Sequence, residues 1–130
     1  MACFIVSGVE AIVATAARKV VEKKEVKAVE EGVEAEVKIP LSRKLKWLTH
    51  MLWGGVILLA FEHVWHGEVV AWFPFLTAMS DPGDAAEMFH EMATVGVAMA
   101  ALITAVWIVM CIVADAIVKR PAKAQAEAVK

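Results

Sequence analysis

From residue 47 to residue 118 the chain carries no lysine or arginine, and residues 92–114 carry no charge of either sign. The lysines that do occur lie among glutamates, so no basic patch forms and no nucleic-acid partner is expected. Cysteine is equally sparse. Cys3 and Cys111 stand far apart with no C-x-x-C or zinc spacing, which argues against a disulfide framework and a structural zinc site. Cys111, inside the most apolar run, reads as a small buried hydrophobe. Serine and threonine are scarce, and there is no Gly-rich phosphate loop, P-loop or nucleophile elbow. Signatures of these enzyme classes are therefore missing. No internal repeat of fixed period is present.

What fills the chain is apolar. Of 130 residues 60% are hydrophobic, mean hydropathy is +0.64, and 13 basic against 15 acidic residues give a net charge of −2. A soluble domain is about 45–50% apolar on a comparable count. The charge is blocked, with nine Lys/Arg and six Glu between residues 18 and 46. Such blockiness excludes an ordinary soluble globule, a collagen-like repeat and a disordered polar chain. The length allows one short domain.

The 23-residue run 92–114 spans about 34 Å as a helix, enough for a hydrocarbon core of roughly 30 Å. A second run, 47–61, is shorter and reaches spanning length when counted on to His66. The expected fold is an all-α integral membrane protein: a transmembrane helical hairpin over residues 45–118 (helices 45–66 and 85–118) with an outer loop 67–84. Arg43, Lys44 and Lys46 flank the first span, and Lys119, Arg120 and Lys123 begin a basic cytoplasmic tail, 119–130. The loop side carries Glu62, Glu68, Asp81, Asp84, Glu87 and Glu91. The positive-inside rule then puts both hairpin ends in the cytoplasm and the loop outside, in a multi-pass cell-membrane protein. Trp47 and Trp53 near one end, with Trp65 and Trp72 near the other, match interfacial belts.

The loop is greasy, and Trp65, Trp72, Phe73 and Phe75 are expected to lie in the outer interface or against a partner subunit. Asp81-Pro82-Gly83-Asp84 is a turn signal, and Asp84 with Glu87 predicts a capping box opening the second helix. Residues 1–17 form an apolar N-terminal helix interrupted by Glu10. It lacks the basic n-region of a signal peptide and is expected to be retained. It reads as a third span, starting outside, or as an interfacial helix with Ile5, Val9, Ile12, Val13 and Ala16 on one face. Residues 18–44 read as a charged Lys/Glu cytoplasmic linker of helical composition, broken at Pro40.

Histidines and acids gather at one end. Gly54, Leu58, Glu62 and His66 follow i, i+4 steps and are expected to share a packed face; Glu87, His90 and Glu91 share a face of the second helix. Glu62 with Glu87-x-x-His90 is half of the carboxylate–histidine set of di-metal helix bundles, which a two-fold dimer would complete. Glu62, His63, His66, Glu87, His90 and Glu91 are accordingly the candidate ligands of a transition metal. Haem b is the rival, held by His63 or His66 with His90. Met88, Met92 and His90 offer a copper alternative. Against these stand plainer roles: a polar cluster that fixes helix pairing, or wet residues at a span end. His50 reads as a polar interface residue, and Asp115 as the i, i+4 partner of Lys119. Gly54, Gly55, Gly96 and Ala100 read as helix-packing grooves.

The expected function is a non-catalytic, self-associating or accessory subunit of a membrane complex, with the lipid bilayer and a homo-oligomer or larger assembly as partners. The alternative is a metal- or haem-binding redox membrane protein with a Glu/His site near the outer face.

Overall fold

The computed structural model describes residues 2–31 and 38–128. Residues 32–37 of the expected linker and 129–130 of the expected tail lie outside the described residues. The fold is all-helical, with no strand among the described residues. Helix α1 spans Phe4–Glu30, α2 Leu41–Trp65, α3 Pro82–Glu91 and α4 Val97–Ala128. A π-helical turn, Met92–Gly96, joins α3 to α4 in one continuous rod.

Helix α1 runs through the boundary expected at residue 17, so the apolar and charged zones share one rod. It contains no proline and is rich in Ala, Val, Glu and Lys; the Ala, Glu and Lys are strong helix formers. Helix α2 starts where Pro40, at ψ 141°, ends the preceding extended stretch; the Pro40 carbonyl accepts from the Arg43 and Lys44 amides. It ends in a Schellman turn. Gly67 takes φ +73°, the Gly67 amide donates to the Val64 carbonyl, and the Glu68 amide donates to the His63 carbonyl.

Helix α3 begins three residues earlier than the capping-box reading of Asp84 and Glu87. Asp81 is the cap: its Oδ1 accepts from the Gly83 and Asp84 amides at 2.7 and 3.4 Å, and Pro82 occupies the first turn. Asp84 therefore sits inside the first turn, and Glu87 is not its capping partner.

Contacts between the rods fix their directions. Residues 3, 8, 15 and 25 of α1 and its cap meet residues 63, 56, 53 and 42, so α1 and α2 are antiparallel. Lys44 meets Trp107 and Asp115, and Gly55 meets Ile103, so α2 and α4 are antiparallel too. Small residues let α1 approach α2: Ser7, Ala11 and Ala14 are buried, and Gly8 faces Val56. The innermost cluster is Ala11, Ala14, Leu48 and Leu52, flanked by Leu45, Ile103 and Trp107.

One helix, Pro82–Arg120, is long and apolar enough to cross a bilayer, and only 6% of its apolar stretch is buried within the chain. Many large apolar side chains elsewhere in the bundle share that exposure. Among the described residues nine hydrophobic residues are buried, five of them alanine, against 28 large ones that are exposed. Val9, Ile12 and Val13 of α1 point outward, as do Ile57, Leu58 and Phe61 of α2 and most of α4 as far as residue 120. The distribution is the inverse of a water-soluble core.

Candidate functional site

The end of the bundle where α1 begins and α2 stops is polar, and His63 is its centre. His63 extends the packed stripe of α2 that runs through Leu48, Leu52 and Val56, and only 5% of it is exposed. The Leu59 carbonyl can only accept, so the Nδ1–H of His63 donates to it at 2.7 Å. Nε2 then faces the Cys3 Sγ and Glu68 Oε2, each at 3.7 Å. In the neutral ring Nε2 is an acceptor for the Cys3 thiol. The Phe4 ring meets the imidazole edge-on, with centroids 5.2 Å apart.

Glu62 and His66 lie on the adjoining stripe and are exposed. Glu62 Oε1 is 3.6 Å from His66 Nε2, and its Oε2 is 3.5 Å from His63 Nδ1. The face expected to be packed through Gly54, Leu58, Glu62 and His66 is therefore the open face of α2. A side chain at Gly54 would meet nothing within 4 Å. The stripe beside it packs because it holds Leu48, Leu52 and Val56, whose branched side chains fill the gap to the alanines of α1.

On the second rod Glu87 and His90 are exposed and Glu91 is half-buried. Met88 is the buried residue of α3, packed with Ala2 and Ala78 beneath Phe4, Ile5, Leu76 and Met92. The structure thus joins Glu62, His63 and His66, adds Cys3 and Glu68, and leaves Glu87 and His90 on the open surface of the other rod. Among the described residues no three His, Cys, Asp or Glu side chains are arranged to hold a metal ion.

The loop is pinned at its base and open at its tip. Val69 bridges to Leu76, the Val70 amide donates to the Phe75 carbonyl, and Thr77 donates twice to the Glu68 carbonyl. Trp65, Trp72, Phe73 and Phe75 are all exposed, Phe73 at 86%. Among the small residues, Gly55 touches Ile103, Ala100 is buried, and Gly96 is where α1 comes closest. A side chain there would stand 2.9 Å from Val6 Cγ2 and 3.1 Å from the Cys3 carbonyl oxygen.

The opposite end is tied by a second polar contact. Lys44 Nζ reaches Asp115 Oδ2 at 2.6 Å, and the Trp107 indole N–H donates to the Lys44 carbonyl at 2.7 Å. The partner expected for Asp115 was Lys119 on its own helix. The tertiary pair wins because Lys44 is only 13% exposed and held against α4. His50 is exposed, its Nδ1–H donating to the Lys46 carbonyl.

Composition and spacing did not single out Cys3, Phe4, Ser7 or Thr104 as site residues. Glu10 was the visible signal among this group: an acid in the middle of an apolar run. No family model, no curated protein and no solved structure matches the chain.

Proposed function

We propose that the chain is a small multi-pass membrane protein whose three rods cross the bilayer together, and that it serves as a non-catalytic, self-associating subunit of a membrane assembly. The observation that carries the membrane reading is the distribution of apolar side chains: 28 large ones are exposed, while only nine hydrophobic residues are buried and five of those are alanine. Fully burying one such side chain contributes roughly 1.5–3 kcal/mol, a gain that the 28 exposed ones forgo in water and recover in hydrocarbon.

Polar groups along the rods support the same reading. The Thr15, Thr49 and Thr94 hydroxyls each donate to a carbonyl four residues earlier, hiding a donor from hydrocarbon. Charge supports the orientation. Arg18, Arg43 and Lys46 border one cleft, near the end where Lys44 meets Asp115. The acids of 62–91 belong to the other end, and the positive-inside rule makes the basic end cytoplasmic. The chain then starts outside, with α1 as a third span.

Self-association rests on Gly54. Gly96 and Ala100 are used within the chain, whereas Gly54 stays open on an apolar face beside Ile57 and Leu58. A glycine there lets a second copy's helix approach closely. The exposed aromatic loop is the surface for the rest of the assembly. Light scattering of the detergent-purified chain should give a mass above one protomer, and Gly54→Leu should reduce it to one while helix content is retained. A Gly54→Leu protein of unchanged size contradicts self-association through this face.

A further inference from the structure

Glu10 is the only formally charged residue among residues 2–17, and the helices packed against it carry none across 47–61 and 92–114. Its place is the middle of the bundle. Thr104, which donates its hydroxyl to Glu10 Oε1, lies next to the centre of the charge-free run 92–114. On the α2 side the neighbouring contacts of α1 are Gly8 with Val56 and Thr15 with Trp53, again the midpoint of an apolar run.

The second oxygen is an orphan. Glu10 Oε2 is shut off from solvent and has no hydrogen-bond partner. Three residues earlier, on the same side of α1, Ser7 is 1% exposed and its Oγ also has no partner. An unpaired carboxylate in such surroundings is costly, and no cationic side chain relieves it. Arg18 lies eight residues along the axis, about 12 Å away at helical rise, and borders the cleft with Pro40 and Arg43 instead. The titratable groups nearest in sequence on the packed elements also belong to other levels. Cys3 and His63 form the polar end, His50 bonds the Lys46 carbonyl, and Cys111 lies two turns beyond Thr104.

We propose that Glu10, Ser7 and Thr104 form an intramembrane site for a small monovalent cation, a proton or an alkali ion. The single positive charge neutralises the carboxylate. Thr104 holds Oε1, Oε2 meets the cation, and Ser7 Oγ supplies the adjacent oxygen. The inference rests on the bilayer reading above, because hydrocarbon around the bundle removes the water that could otherwise reach the carboxylate.

The test is modification of the detergent-purified full chain by dicyclohexylcarbodiimide, an apolar reagent for carboxyl groups, read by peptide mass spectrometry. Glu10 should be labelled well above exposed Glu87, and Glu10→Gln should lose the adduct at that peptide entirely. A fall in labelling with sodium chloride, absent with choline chloride, identifies an alkali ion as ligand; labelling unchanged by salt identifies the proton. An unlabelled Glu10, or one labelled no faster than Glu87, overturns the site. Alkaline washing of membranes holding the same chain separates the two failures. Retention in the pellet with an unreactive Glu10 defeats the site alone, and release into the wash defeats the bilayer reading.

Discussion

Lys44 on α2 and Asp115 on α4 are 71 residues apart in sequence and 2.6 Å apart in space. The pair sets how far α4 has run past the start of α2, and the Trp107 indole bond to the Lys44 carbonyl repeats the constraint one backbone away. Polar contacts at this end and the His63 contacts at the other bracket an interior of small and aliphatic side chains, interrupted by Ser7, Glu10 and Thr104.

The first prediction concerns that pair. Lys44→Met and Asp115→Asn should each lower the thermal midpoint of the purified protein by a few degrees. The double variant should lose clearly less than the sum of the two, since each single change strands a partner. Additive losses in a four-point cycle would show that the pair carries no coupling.

Glycine position decides the second. Gly96→Ala puts a methyl against Val6 and the Cys3 carbonyl and should cost about 1–3 kcal/mol, the usual range for overpacking. Gly54→Ala has open space and should be neutral or stabilising by up to about 1 kcal/mol, through helix propensity. Unfolding in mixed micelles, at protein dilution that leaves single protomers, measures both.

Leu52 and Leu58 lie on one helix with opposite surroundings, 0% and 70% exposed. Leu52→Ala should cost about 2–5 kcal/mol through the cavity it leaves. Leu58→Ala should stay within roughly 0.5 kcal/mol. Equal losses in the same unfolding assay would mean that the packed face of α2 has been misassigned.

His63 and His90 should separate in a thiol assay. In a Cys111→Ala background, His63→Ala removes the group facing Cys3, and maleimide labelling of Cys3 should speed up several-fold. His90→Ala should leave the rate unchanged, because His90 is exposed on α3. The labelling time course reads both.

Much of the architecture was legible because it follows from length and periodicity. The charge-free run predicted the long rod of α4 and Pro40 the break between α1 and α2, whereas Asp81-Pro82-Gly83-Asp84 forms the cap and first turn of α3 rather than a turn before it. The packed face of α2 was misread because spacing alone cannot choose between neighbouring stripes. Gly54, Leu58, Glu62 and His66 keep helical spacing as well as Leu48, Leu52 and Val56 do. What decides is which stripe fits the alanines of α1, and that depends on the partner helix. The cluster at Cys3, His63 and Glu68 was hidden for the same reason: its members come from the chain start, a helix end and a loop. The Asp115 pairing was misassigned because a partner four residues away is visible in sequence and one 71 residues away is not.

The central claim is that hydrocarbon surrounds the bundle, and spin-label accessibility at single cysteines introduced for Leu102 and Val109 in reconstituted vesicles tests it most directly. Both side chains are exposed at the level of the apolar runs. The account predicts relaxation of both labels by oxygen and little effect of a water-soluble nickel chelate; strong relaxation by the chelate at either position would contradict it.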